Sequence, residues 1–223
     1  MHVFENFKSF EEAELNLFQP VTLLIGPNGS GKSNLIEGVE LLSHVAHGTP
    51  LYEIADVGKA SGDGMEIRGG LAECPRYGTD TFTLGFSASA TFDKRKTPLI
   101  YRVSIKTKSS PHICEESLKV DGGKTFIFET TGPPAKGSQG MLDIRYNNFS
   151  RGGRKPKKPV RGDRSVLSQY EEFAEENAKE KECAALVRLL RKYLKASFIF
   201  EPNPKLMREN GSQRCPGWFA PRQ

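Results

Sequence analysis

The stretch Val21 to Ser33, V-T-L-L-I-G-P-N-G-S-G-K-S, restricts the fold of this chain more than any other. Val21 to Ile25 is a short apolar run of the kind that forms a buried parallel strand. Gly26-Pro27-Asn28-Gly29-Ser30-Gly31-Lys32-Ser33 then fits G-x-x-x-x-G-K-[ST], the spacing of a phosphate-binding loop. From Asn34 the pattern turns helical. Leu35, Ile36, Val39, Leu42, Val45 and Ala46 fall mostly on one stripe, and Gly48 stands where a C-cap is needed.

The residue types follow from the chemistry of a polyphosphate, which needs many N–H donors at close range. Glycines at 26, 29 and 31 let the backbone wrap a ligand without a Cβ in the way. The helix start adds unpaired N–H groups and a partial positive charge. Lys32 is placed to reach β- and γ-phosphates, and the Ser33 hydroxyl to ligate a Mg²⁺ ion bridging them. The alternative is a glycine turn that merely joins a strand to a helix.

At 223 residues the chain can bury a real core. No apolar run approaches the roughly 18 residues of a membrane span, and no basic-then-apolar leader opens the sequence. Cys74, Cys114, Cys183 and Cys215 form no C-x-x-C pair. Reduced structural thiols and a cytoplasmic location are the expectation. The net charge is +5, while residues 151–164 alone carry seven Lys/Arg and one Asp. The basic character therefore belongs to one segment.

Along the chain, Met1 to Phe10 reads as a first strand and Glu11 to Phe18 as its hairpin partner, which brings Lys8 and Ser9 near the loop. His44 and His47 read as surface or capping histidines, with no cluster around them for a metal. From about residue 70 to 130 the pattern is of antiparallel strands: Thr81 to Ala90, Leu99 to Lys106, and Ser117 to Val120 with Lys124 to Glu129 across Asp121-Gly122-Gly123. Thr131 to Gly140 is a Pro/Gly/Ser loop, continued by Tyr146 to Arg164. Its basic end, Arg151 to Arg164, is either a solvated loop or a contact for nucleic-acid phosphates. A long helix is expected over about 170–195 and a strand over Ala196 to Glu201.

F-x-N-F-K-S-F followed by V-T-L-L-I-G-P-N-G-S-G-K-S-N-L-I-E-G resembles the amino-terminal lobe of RecF/SMC-like ABC-type ATPases, grouped with the AAA family of predicted bacterial ATPases. S-V-L-S-Q before a helix and F-x-F-E-P-x-P-x-L-M-R near the end resemble later segments of that group. The resemblance implies an α/β P-loop NTPase half-domain over residues 1–208, with a lateral antiparallel sheet and a long helix. It implies ATP and Mg²⁺ as ligands. Gly26, Pro27, Asn28, Gly29, Ser30, Gly31, Lys32 and Ser33 would hold the phosphates in this Walker A loop, flanked by Asn34, Lys8 and Ser9. Lys32 would be catalytic, and Ser33 with Gln169, as the Q-loop glutamine, would serve the metal. A second lobe or a homodimer partner, and a role in DNA repair or defence against foreign DNA, follow from the same likeness.

The departures shape the expectation as much. No L-S-G-G-type signature and no apolar strand ending in Asp-Glu is present, and Phe198-Ile199-Phe200-Glu201 lacks the Asp and runs into Pro202. Hydrolysis is therefore expected only with a carboxy-terminal lobe that carries those parts. Residues 209–223 have no periodicity, as in a truncated, frameshifted or split ATPase. Two rivals stand beside this reading: a non-catalytic module binding nucleic acid or an acidic partner, and a P-loop kinase of small substrates.

Overall fold

A computed structural model describes residues 1–17, 19, 22–55, 67–132, 140–150, 154–174 and 177–195. One eight-stranded antiparallel sheet dominates them. Its strands are β1 (His2–Phe7), β2 (Phe10–Leu15), β3 (Thr81–Phe92), β4 (Arg95–Lys106), β5 (His112–Val120), β6 (Thr125–Thr130), β7 (Met141–Tyr146) and β8 (Lys157–Arg161). Their order is β2-β1-β3-β4-β5-β6-β7-β8, so sequential neighbours pair nearly throughout. Among the described residues four α-helices accompany the sheet: α1 (Lys32–His47), α2 (Leu51–Ala55), α3 (Val166–Gln169) and α4 (Ala178–Lys195).

Alternation decides which face is covered. Along β4, Thr97, Leu99, Tyr101, Val103 and Ile105 are buried while residues between them reach solvent. With Phe4, Phe7, Phe82, Leu84, Phe86 and Phe128 they build one core against Leu41, Leu42 and Val45 of α1 and Cys183, Val187 and Leu190 of α4. Burying each large side chain contributes about 2–3 kcal/mol. Gly38 lets α1 settle on β1: a Cβ there would lie 2.5 Å from Phe4 Cε1 and 3.0 Å from Phe7 Cε1.

Several expectations are corrected. Val21 lies outside the described residues, and Thr22 to Ile25 is not a buried strand; Leu23 is 78% and Ile25 84% exposed. A strand needs a partner for its N–H and C=O groups, and among the described residues the sheet ends at β2. Among the described residues there is accordingly no separate central sheet beside the antiparallel one. The stretch read as loop beyond Tyr146 contains β8, which among the described residues is an edge strand pairing with β7 alone. Pro159 is tolerated there because an edge strand leaves one side unpaired, and Lys157 and Lys158 guard the edge against foreign strands. The long helix begins at Ala178 rather than near Tyr170. Asn177 caps it: its Oδ1 accepts from the N–H groups of Lys179 and Glu180 (3.0 Å each), and its own N–H donates to the Glu180 carboxylate (3.3 Å). The expected strand at Ala196 to Glu201, Arg151 to Gly153 and the tail at 209–223 lie outside the described residues.

Candidate phosphate-binding site

The loop from Gly26 to Gly31 folds into an open turn at the start of α1. Ser30 N–H donates to the Pro27 carbonyl (3.3 Å), and Leu35 N–H to that of Gly31 (2.9 Å). Gly29 (φ 81°) and Gly31 (φ 89°) occupy the left-handed region, which a side chain disfavours by roughly 1–2 kcal/mol. Gly31 is the N-cap of α1 and offers no side-chain acceptor to the first turn, which also contains no acidic residue. The leading N–H groups of α1 are thus left for an outside acceptor. A Cβ on Gly26 would stand 2.9 Å from Ser30 Oγ, so a side chain there would make Ser30 turn aside.

Lys32 Nζ turns back over this loop. It donates to the carbonyls of Gly26 (2.7 Å) and Pro27 (2.8 Å) and to Ser30 Oγ (3.3 Å). The ammonium therefore hangs over the loop, and Ser33 is exposed beside it. Among the described residues no cluster of His, Cys, Asp or Glu suits a metal ion. The donor set is of a kind that fits a phosphate group, and Ser33 presents an exposed hydroxyl beside it.

The turn between β1 and β2 packs against this loop. A Cβ on Gly31 would meet Ser9 Oγ and Phe10 Cζ at 3.2 Å, and Asn34 Nδ2 donates to Ser9 Oγ (2.9 Å). Lys8 pairs with Glu37 and donates to the Arg68 carbonyl (3.2 Å). The buried Glu37 also holds Arg68 through Nε, and Arg68 Nη2 reaches Asn34 Oδ1 (3.0 Å). Ser9, Asn34 and Lys8 are thereby gathered at the start of α1, with the Lys8 ammonium held by Glu37. Sequence reasoning missed Arg68 and Glu37. Nothing in their spacing signals that residues 31 positions apart share a salt bridge.

Gln169 corrects its expected role at a metal. It is buried, its Oε1 accepts from Arg161 N–H (2.9 Å), and its Nε2 donates to the carbonyls of Arg161 (3.0 Å), Arg164 and Ser165 (3.3 Å each). Its amide is spent on holding the turn 161–165. Its neighbour Ser168 also abuts Gly48, just past the end of α1, and at about 1.5 Å per residue that end is roughly 22 Å from Ser33.

The basic segment divides. Arg161 and Arg164 both pair with Asp163, Arg161 through two bonds of 3.1 and 2.6 Å. Lys155 donates to the Ser150 carbonyl (3.1 Å), while Arg154, Lys157 and Lys158 reach solvent. A concavity of about 850 Å³ lies on the sheet face that α1 does not cover, with Thr83, Arg102, Ser104, Ser117, Lys119 and Glu129 in its lining. Arg102 is paired with Glu5 (2.7 Å) and Lys119 with Glu129 (3.6 Å). Both of these ion pairs join side chains from different strands of the sheet. No described helix is long and apolar enough to cross a membrane.

Comparison with known proteins agrees with this geometry. Residues 3–43 match the family model of an AAA domain. The DNA replication and repair protein RecF of Rickettsia canadensis is 33% identical over 88 residues, 40% of this chain and 24% of the relative. RecF of Gloeobacter violaceus is 33% identical over 92 residues, covering 34% and 24%. RecF of Parasynechococcus marenigrum is 55% identical over 38 residues, 17% and 10%. The chain spans a quarter or less of the length of these relatives. No solved structure matches it. The amino-terminal region is similar to the amino-terminal lobe of RecF/SMC-like ATPases.

Proposed function

We propose that this chain is the ATP-binding lobe of a RecF/SMC-like ATPase that acts on DNA in repair. The observation that carries the reading is the loop itself: glycines in left-handed conformation at a helix start, with Lys32 folded over the loop's own carbonyls. Gly26 to Ser33 hold the phosphates through backbone N–H groups, and Lys32 leaves its carbonyl acceptors to meet the β- and γ-oxygens. Ser33 would be this chain's ligand to a Mg²⁺ ion, which would supply charge neutralisation at the phosphates. Ser9 and Asn34 flank the nucleotide, and Lys8 and Arg68 add positive potential beside it.

Hydrolysis requires a carboxylate pair that polarises water, which we assign to a second lobe or a partner copy. The exposed Leu23 and Ile25 suit such a lobe, since an apolar run next to a phosphate loop is stable only when a neighbouring strand covers it. Calorimetry of Mg-ATP binding to the chain and to Lys32→Ala, with turnover measured in parallel, tests the reading. Micromolar binding by the wild type, at least tenfold weaker in Lys32→Ala, is expected, with negligible turnover. No ATP binding by the wild type, or equal binding by the variant, overturns it.

A second reading rests on the basic edge strand. Arg154, Lys157 and Lys158 are exposed beside the paired Arg161 and Arg164, and such a row suits phosphate-backbone contact. Binding of duplex DNA that survives Lys32→Ala favours a nucleic-acid-binding module independent of ATP turnover.

A further inference from the structure

Glu116 plays no part in the proposed phosphate site, yet it is the hub of the segment that follows β8. Alternation along β5 puts it on the core face with Leu118 and Val120, and it is 1% exposed. Four neutral donors surround its carboxyl group. Ser165 Oγ (2.7 Å), Tyr101 Oη (3.1 Å) and Leu167 N–H (3.3 Å) meet Oε1, and Val166 N–H (2.8 Å) meets Oε2.

Among the described residues no cation joins them. From β4 the titratable group facing it is Tyr101; from α3 it meets the N-cap Ser165 and two backbone amides. From β6, Thr130 Oγ1 accepts the backbone N–H of Glu116 (3.4 Å). Asp163 and Arg164, the charged residues just before Ser165, pair with each other. A carboxylate buried among dipoles alone costs several kcal/mol when charged. The cage also has a place for a proton. Tyr101 Oη lies 3.3 Å from Ser165 Oγ, so Tyr101 can turn its O–H to Ser165 and accept one from a protonated Oε1.

We propose that Glu116 is a proton-operated latch: neutral, it ties residues 163–169 to the sheet, and its ionisation loosens that segment. Gln169 holds both the N–H and the carbonyl of Arg161, so the cationic end of β8 follows the latch. Burial pushes the Glu116 carboxyl up to about 7, against the opposing pull of its hydrogen bonds from Ser165, Val166, Leu167 and Tyr101. Once the segment opens, water restores the ordinary carboxyl value. The closed form thus binds the proton more tightly, and opening is favoured as pH rises; the linkage amounts to about tenfold between pH 6 and 8.

Hydrogen exchange of the Val166 and Leu167 amides in the full chain, corrected for intrinsic rates, reads this directly. Protection is expected to fall about tenfold from pH 6 to pH 8, while the Val103 amide in β4 keeps its protection. Glu116→Gln should show no pH dependence at 166–167. Should that variant fail to fold, a ¹³C-carboxyl titration of wild-type Glu116 decides, with a midpoint near neutrality expected. Flat protection in the wild type, the same slope in Glu116→Gln, equal loss at Val103, or a carboxyl midpoint in the ordinary glutamate range each overturns the latch.

Discussion

Replacing Gly38 by alanine tests how the loop helix is seated. Two effects oppose each other. Alanine in a helix interior gains about 1 kcal/mol over glycine. Its Cβ, however, would stand 2.5 and 3.0 Å from two carbons of Phe4 and 3.0 Å from Phe7 Cε1, against the roughly 3.5–4 Å at which carbons rest. Both rings are fully buried, and Phe4 stacks on His2 and meets Phe7 and Phe10 at a tilt. They cannot swing away as an exposed side chain would. Relief requires α1 to retreat from β1 by about 1 Å, and overpacking of this kind costs about 1–3 kcal/mol. The net expectation is destabilisation of up to about 2 kcal/mol, in place of the gain that helix propensity alone would bring. Because α1 begins at the loop, the same retreat parts Gly31 from Ser9 and Phe10. Urea unfolding should show a lower midpoint with an unchanged slope, and Mg-ATP affinity should fall as well. A variant more stable than wild type by the full helix-propensity gain would refute the close approach of helix and strand.

Other outcomes are expected from the same structure. Gly31→Ala forces a side chain into φ 89° and against Ser9 and Phe10; it should cost about 1–2 kcal/mol and weaken nucleotide binding, both measurable by thermal shift with and without Mg-ATP. Asn177→Ala removes the cap of α4 and should lower stability by about 1 kcal/mol, seen in urea unfolding followed by circular dichroism. Burial lowers the His2 imidazole to about 4. Native His2 therefore stays neutral while the unfolded chain takes up a proton, so stability is lost as pH falls from about 6.5 to about 4, by up to about 3 kcal/mol; His2→Asn should flatten that part of the profile. If the basic edge contacts DNA, Lys157→Ala with Lys158→Ala should lower the slope of log affinity against log salt by about 1–2.

What could be read from residues in order was what depends on neighbours in sequence. The loop from Gly26 to Ser33, the helix after it, the hairpin at Lys8 and Ser9, and the alternating strands of β3 to β6 all announce themselves through local spacing, glycine positions and period-two patterning. Asn177 and Glu180 also form a local signal, a capping box, though one easily passed over in a charged run. The resemblance to RecF-type proteins rests on this same local stretch. Tertiary structure alone decided what requires partners far along the chain. Apolar Leu23 and Ile25 look like a core strand, but hydrogen-bond partners make a strand and none is present for them among the described residues. Lys157-Lys158-Pro159 looks like a loop, but β7 offers it an edge where lysine and proline are tolerated. Gln169 looks like a metal ligand until its amide is found closing the turn at 161–165. Arg68 and Glu37 meet, as do Glu116 and Ser165, because the packing of helices on the sheet brings distant residues together, and no periodicity encodes that.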